Sequence, residues 1–510
     1  MQLKDAQQVD VVVVGAGNAA MCAAFAAQDA GASVMVLERA PEAECGGNSA
    51  FTGGATRFAF KNVEEVREVL DLTDEEVANT DFGTYTEEEF LEDMGRVTQY
   101  RCDPDLTELF VRNSRKTLAW MKSKGVRFDA MWARQSQKVG GKVKFYAGLI
   151  GATWGAGQGL VDSLHKIAKK NGIPVLYEAA ATELIYENGE VRGVVAEAQG
   201  KTLRRRAGAV VLACGGFESN AEMRARYLGP NWDLAKVRGT RFNMGDGIRM
   251  ALAVGAMPFG HWSGAHAVGW DLNAPPFGER EIGDLFQKHS YPFGIMVNAN
   301  GERFVDEGAD FRNYTYAKYG VEILKQPGMF AWQIFDSKVN HLLRDEYRIR
   351  KITKAEAPTL EALVTKLEGV NAERCLKTIA EYNKAVRQDV AFNPVILDGR
   401  GTTGLAIPKS NWANVLDTPP FHAYAITCGI TFTFGGVRVS PRAAVQSVAG
   451  HDVPGLFAAG EMVGGLFYFN YPSGTGLVSG AVFGRIAGTE AARHARTKPA
   501  TAVKKRDHAE

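Results

Sequence analysis

Val9–Val14, VDVVVV, runs directly into Gly15-Ala16-Gly17-Asn18-Ala19-Ala20, and an apolar pattern of helical period continues through Ala30. Gly31-Ala32 ends that pattern; residues 33–37, SVMVL, come next, with Glu38 at their end. A continuous β-branched run suits a strand buried on both faces of a parallel sheet. Two such runs joined by a helix predict a βαβ unit and place the chain in the α/β class.

The turn after the first run has the form GxGxxA. Gly15 and Gly17 permit a tight turn and close backbone approach, and the helix start offers free amides and its positive dipole end to a pyrophosphate. Glu38, about 20 residues further on, is placed to accept from ribose hydroxyls. Gly15, Gly17, Asn18, Ala19, Ala20 and Glu38 are therefore candidate dinucleotide-binding residues, with Ala20 in the third glycine's place. Two later glycine clusters favour a flavin over a nicotinamide. Gly46-Gly47-Asn48-Ser49 and Gly53-Gly54 come directly after the second strand, where small residues let backbone pass beside a flat ring. Far along the chain, residues 455–459 predict a short strand ending in AAGE (residues 458–461); Gly464-Gly465 come after it, then YPSGTGL (471–477). That strand end offers Glu461 to ribitol hydroxyls and backbone amides to a flavin carbonyl.

Composition narrows the class. Glycine supplies 56 of 510 residues and proline only 18, against typical usages of about 7% and 5%, which excludes collagen-like and disordered chains. The net charge of +1 excludes a global basic field for nucleic acid or an anionic membrane. The cysteines (Cys22, Cys45, Cys102, Cys214, Cys375, Cys428) form no CxxC pair, so no zinc or iron–sulfur site is expected, and the pattern fits a reducing, cytoplasmic compartment. Uncharged stretches at 145–161, 251–270 and 462–484 are broken by glycines and polar residues and read as buried loops and turns, not membrane spans.

Further along, residues 61–93 predict an acidic, mostly helical surface, Pro104–Lys124 and 160–171 helices, and 174–178, 181–187, Glu190–Ala198, 201–206 and 209–213 strands, with Asn188-Gly189 as a hairpin turn. From about Gly247 the texture becomes aromatic-rich, with two helices expected in 360–390. The organisation expected is a dinucleotide-binding domain over 1–246, an inserted domain over 247–393, the rest of the first domain over 394–497, and a flexible tail, 498–510.

Four segments together carry a family resemblance: GGNSAFTGGATRFA (46–59), GVRFDAMWARQSQKVGGKVKFYAGL (125–149), YPFGIMVNANGERFVDEGADFRNYTYAKYG (291–320) and GGLFYFNYPSGTGLVSGAVFGRIAG (464–488). They resemble the flavoprotein family of fumarate reductase, succinate dehydrogenase and 3-ketosteroid dehydrogenase. Within it the chain is most similar to the FAD-dependent tricarballylate dehydrogenases. The resemblance implies a Rossmann-like FAD-binding domain with an inserted α+β capping domain and a substrate held between flavin and cap. The implied reaction is α,β-dehydrogenation of a small, tricarballylate-like polycarboxylate, with one proton abstracted and hydride passed to flavin N5. A ketosteroid-type desaturase or a fumarate-reductase-like enoate reductase are the alternatives. It also implies a separate redox partner that reoxidises the flavin. With no histidine in the GGNSAFTGG region, the FAD is expected to be non-covalent.

The motifs also imply particular site residues. Arg312 falls where soluble fumarate reductases carry a catalytic arginine, as a carboxylate clamp or, with Asp310 or Asp306 nearby, a proton relay. Tyr471 stands where those enzymes have an arginine, and Gly429–Gly436 replaces their HTMGG element. The YPxG turn is similar to that of 3-ketosteroid dehydrogenases, in which a tyrosine and a glycine amide polarise a carbonyl. Arg57, Arg241, His266, Thr431 and Gly474 are candidate substrate ligands, with Arg238 a weaker one. The expected flavin contacts are completed by Arg39, Ala181, Asp246, Gly476 and Leu477.

Overall fold

The computed structural model describes residues 9–497, so the tail expected at 498–510 lies outside them. The opening βαβ unit forms as expected: Val9–Val14 and Val34–Leu37 pair in parallel, joined by the helix Asn18–Asp29. Val11, Val12 and Val13 have no exposed surface, which is why the run carries no polar alternation. On one side Val34–Leu37 pairs with Val175–Leu176; on the other, Val9–Val14 pairs with Lys201–Leu212, which in turn pairs in parallel with Asp452–Ala458.

Lys201–Leu212 is one continuous strand rather than the two expected. Its first half runs antiparallel to Glu190–Ala198, and its second half, from Ala207, runs parallel to Val9–Val14. The small pair Ala207-Gly208 lets it pass without a break: a Cβ on Gly208 would sit 2.6 Å from that of Ala495 on the C-terminal helix.

The C-terminal helix, Thr475–Thr497, lies against Asn18–Asp29. Cβ atoms at Gly484 and Gly488 would run into the carbonyls of Ala19 and Ala23, so these glycines set how closely the helices approach. The stretch 462–484, expected as loop, is thus partly helix, and 251–270 is largely the strand Pro258–Asp271. No helix among the described residues is long and apolar enough to cross a membrane. The acidic stretch 61–93 contains Val63–Val69, Asp74–Ala78 and the start of Glu87–Val97, the last two begun by Thr–Glu capping boxes.

A second sheet is centred on the long strand Phe421–Val437, which pairs with Pro258–Asp271, Phe330–Phe335, Lys354–Ala357 and Lys236–Val237. Its members come from both sides of the boundaries expected at 247 and 393, so that division does not follow the sheets: the inserted segment is bound into strands that flank it. The helices Leu360–Val364 and Ala372–Ala385 pack on this second unit.

Candidate active site

A cleft begins at the C-terminal ends of the first strands, at Val14, Leu37 and Ala213, and reaches Thr431–Phe434 on the second sheet. Gly15 lies at φ +103° with an added Cβ only 2.5 Å from the Ala213 carbonyl, so only glycine fits. Glu38 accepts from the N–H of Ala16 (2.9 Å) and of Ala40 (2.8 Å). Burial raises its pKa against the pull of those donors. Asn18 ties three segments together: its N–H donates to Ser49 Oγ at 3.1 Å and its Nδ2 to the Leu477 carbonyl at 2.7 Å. Gly46, Gly47, Gly53, Ala181, Gly476 and Leu477 line the same space, as does Asp246, which pairs with Arg39.

Midway, Asn48 Nδ2 donates to Glu218 Oε1 (2.6 Å) and to the Thr431 carbonyl (2.5 Å), while its Oδ1 accepts from the Thr240 N–H (2.9 Å). Glu461 accepts from the Thr433 N–H (2.7 Å) and hydroxyl (3.0 Å). Glu218 and Glu461 are buried neighbours; desolvation raises both, Glu218 further because Glu461 adds its own charge. The glycine cradle, the helix start and the polar groups beside it fit a dinucleotide with a flat ring.

The far end is cationic. Arg134, Arg238, Arg312 and Arg344 line it against one lining carboxylate, Asp284. Asp284 takes Arg238 at 2.7 Å (Nε) and 2.6 Å (Nη2) and Arg134 at 3.4 Å. Glu346, whose field also reaches Arg134 and Lys288, does not line the cleft. Arg238 also donates to Thr431 Oγ1 at 3.1 Å. Arg312 Nη2 donates to Gln135 at 3.2 Å, its Nε is buried without a partner, and its guanidinium lies 5.3 Å over the Tyr316 ring. Burial, then the neighbouring charge of Arg344, pushes Arg312 down to about 10. His266 is buried edge-on to Tyr316 (5.0 Å) and Tyr471 (4.8 Å), its Nδ1 unpartnered, and burial holds it well below the usual histidine range. The Tyr471 hydroxyl accepts from the Gly476 N–H at 3.0 Å.

Most expected residues meet here, and four do not. Arg57 is 0% exposed and outside the cleft lining. Its Nε is bound to the Ser473 carbonyl (2.8 Å), and its Nη1 to the Ala147 carbonyl (3.1 Å) and the Tyr314 hydroxyl (3.2 Å). It braces the wall from behind. Arg241 points to solvent beside Phe277 and Glu44, in a separate shallow groove. Ala20 is packed in the core under the helix rather than on the cleft, and Gly54 backs onto Thr153 and Ala156. The relay between Arg312 and Asp310 or Asp306 does not form either: Asp310 binds Arg96 at 2.6 Å and Asp306 binds Ser410. Arg134, Arg344, His289 and Tyr316 line the cleft without having been expected there. Arg134 and Tyr316 stand inside the segments that carried the resemblance, but nothing local marks either as facing the cleft.

Residues 10–477 match the FAD binding domain family. The chain is 30% identical over 500 residues to a probable fumarate reductase of Shewanella frigidimarina, covering 96% of this chain and 76% of that one. It is 25% identical over 576 residues to a 3-oxosteroid 1-dehydrogenase of Mycobacterium tuberculosis, covering 94% and 97%. The open conformation of a flavocytochrome c3 fumarate reductase superposes with a TM-score of 0.71 at 26% identity, over 96% of this chain and 79% of that one. Fold, cleft and relatives define an FAD-dependent oxidoreductase acting on CH–CH bonds, of the fumarate reductase and ketosteroid dehydrogenase type. The chain belongs to the FAD binding domain family.

Proposed function

We propose that this protein dehydrogenates a small polycarboxylate, tricarballylate-like, across its α,β carbon–carbon bond, and passes the electrons to a separate redox partner. The observation that carries the reading is the charge at the far end of the cleft: four lining arginines against one lining carboxylate. Unbalanced guanidiniums in a part-buried wall favour a multiply charged anion over a sterol skeleton, which needs an apolar, arginine-poor wall. Tyr471, in the place of the fumarate reductases' arginine, favours dehydrogenation over fumarate reduction.

When bound, FAD supplies a hydride acceptor at flavin N5, and in this reading it is held without a covalent bond. Two hydrogens leave the substrate, one as hydride and one as a proton. Arg312 takes the proton: its Nε is buried without a partner, it forms no ion pair among the described residues, and burial with the charge of Arg344 lowers its pKa. Arg238, oriented by Asp284 and Thr431, holds a substrate carboxylate. The Tyr471 hydroxyl, fixed by the Gly476 N–H, donates to the carboxylate oxygen on which charge builds as the α C–H bond breaks. Thr431 and Gly474 shape the wall between them.

Turnover with an artificial electron acceptor over a substrate panel tests this. Tricarballylate is expected to support turnover and a 3-ketosteroid not to. Turnover with the steroid and none with any polycarboxylate overturns the reading.

A further inference from the structure

Arg344 enters the cleft from a segment that carries no flavin motif, just before the short turn Asp345–Tyr347. Two hydrogen bonds fix it: its N–H donates to Ser290 Oγ at 3.1 Å and its Nη2 to the Arg134 carbonyl at 2.6 Å. The first fixes the backbone and the second the guanidinium, and neither neutralises its charge. Arg134 and Arg238 share Asp284, whereas no ion pair is formed by Arg344 among the described residues. The adjacent Asp345 turns to Arg348 instead, at 3.4 Å. On the same wall His289 is 2% exposed and its Nε2 has no partner. Burial and the fields of Arg312, Arg238, Arg344 and Arg134 keep its ring neutral, so Nε2 is free to carry a proton and donate it. The buried orphan ring nitrogen of His289 is costly without a partner, and the half-buried Arg344, beside a like charge, has a guanidinium left to take an anion.

We propose that Arg344, with His289 Nε2, binds the carboxylate by which a tricarboxylate exceeds a dicarboxylate, and so sets the enzyme's preference for a trianion. This rests on the polycarboxylate reading. Arg312 is left to the proton, and Arg238 and Tyr471 to the carboxylates next to the reacting bond.

Anaerobic calorimetric titration of the FAD-loaded enzyme with its flavin reduced beforehand, so that neither ligand can be oxidised, compares tricarballylate with methylsuccinate, which lacks one terminal carboxylate, and tests the proposal without turnover. Wild type is expected to bind the tricarboxylate more tightly. In Arg344→Met the affinity for tricarballylate should fall roughly 10- to 100-fold more than that for methylsuccinate, the worth of one charge-assisted contact. Arg344→Lys should recover part of the difference, and His289→Phe should show the same selective loss. An equal loss for both ligands, or none, overturns the assignment and leaves the polycarboxylate reading standing. Wild type that binds neither ligand overturns both. If Arg344→Met fails to retain FAD, His289→Phe decides: undiminished preference for the tricarboxylate overturns the proposal.

Discussion

Arg312 keeps a buried Nε without a partner and is pushed down to about 10, with Arg344, Tyr316, Tyr291 and Tyr146 as its charged and titratable neighbours. If it takes the proton, it acts in its neutral form. In the free enzyme, kcat/KM for dehydrogenation should then rise about tenfold per pH unit toward pH 10, which a pH series reads directly. Arg312→Gln should slow flavin reduction by about 10²- to 10⁴-fold with a smaller loss of substrate affinity, resolved by stopped-flow. Tyr471→Phe removes a single donor and should lower kcat by about 10²-fold, with KM little changed. His266 makes a stability claim. Burial holds it well below the usual histidine range, so below about pH 6.5 the unfolded chain binds a proton that the folded chain refuses. Stability is therefore lost as pH falls through 6.5. His266→Gln should remove about 1 kcal/mol of that loss between pH 6.5 and 5.5, measured by urea unfolding at the two pH values.

Between the helices Asn18–Asp29 and Thr475–Thr497 the contact is backbone on backbone, and the Asn18 to Leu477 bond ties it to the cofactor cleft. Gly488→Ala should overpack it, at a cost of about 1–3 kcal/mol, and lower FAD retention, read as a fall in Tm together with flavin content. Elements with one dominant period were legible in the sequence. The opening βαβ unit and Pro104–Lys124 stand where expected, the latter closed by Gly125 in the left-handed region. Elements whose state depends on a distant partner were not. The 462–484 stretch reads as loop because its glycines resemble turn residues, yet Gly484, like Gly488 one turn on, lets one helix lie on another. The break expected near residue 207 is absent because a single strand serves two neighbours in opposite senses.

Across the whole molecule the net charge is only +1, yet the four arginines at the far end of the cleft face a single lining carboxylate. They come from residues 134, 238, 312 and 344, and no local pattern announces that they converge. The cofactor end was legible because its chemistry sits in contiguous motifs, Gly15–Ala19 and Gly46–Ser49, whose spacing has a physical cause. The substrate end was legible only where a motif carried it, at Arg312 and Tyr471. Arg57 misled because an arginine beside a glycine turn looks the same in sequence whether it faces the cleft or braces its back. FAD would bind only the folded chain, so added FAD should raise Tm with concentration. The most direct measurement is an anaerobic single turnover of the FAD-loaded enzyme with tricarballylate, following the oxidised-flavin absorption and the product together. Dehydrogenation of a polycarboxylate predicts bleaching matched one for one by formation of the unsaturated tricarboxylate; flavin that stays oxidised at millimolar tricarballylate would contradict it.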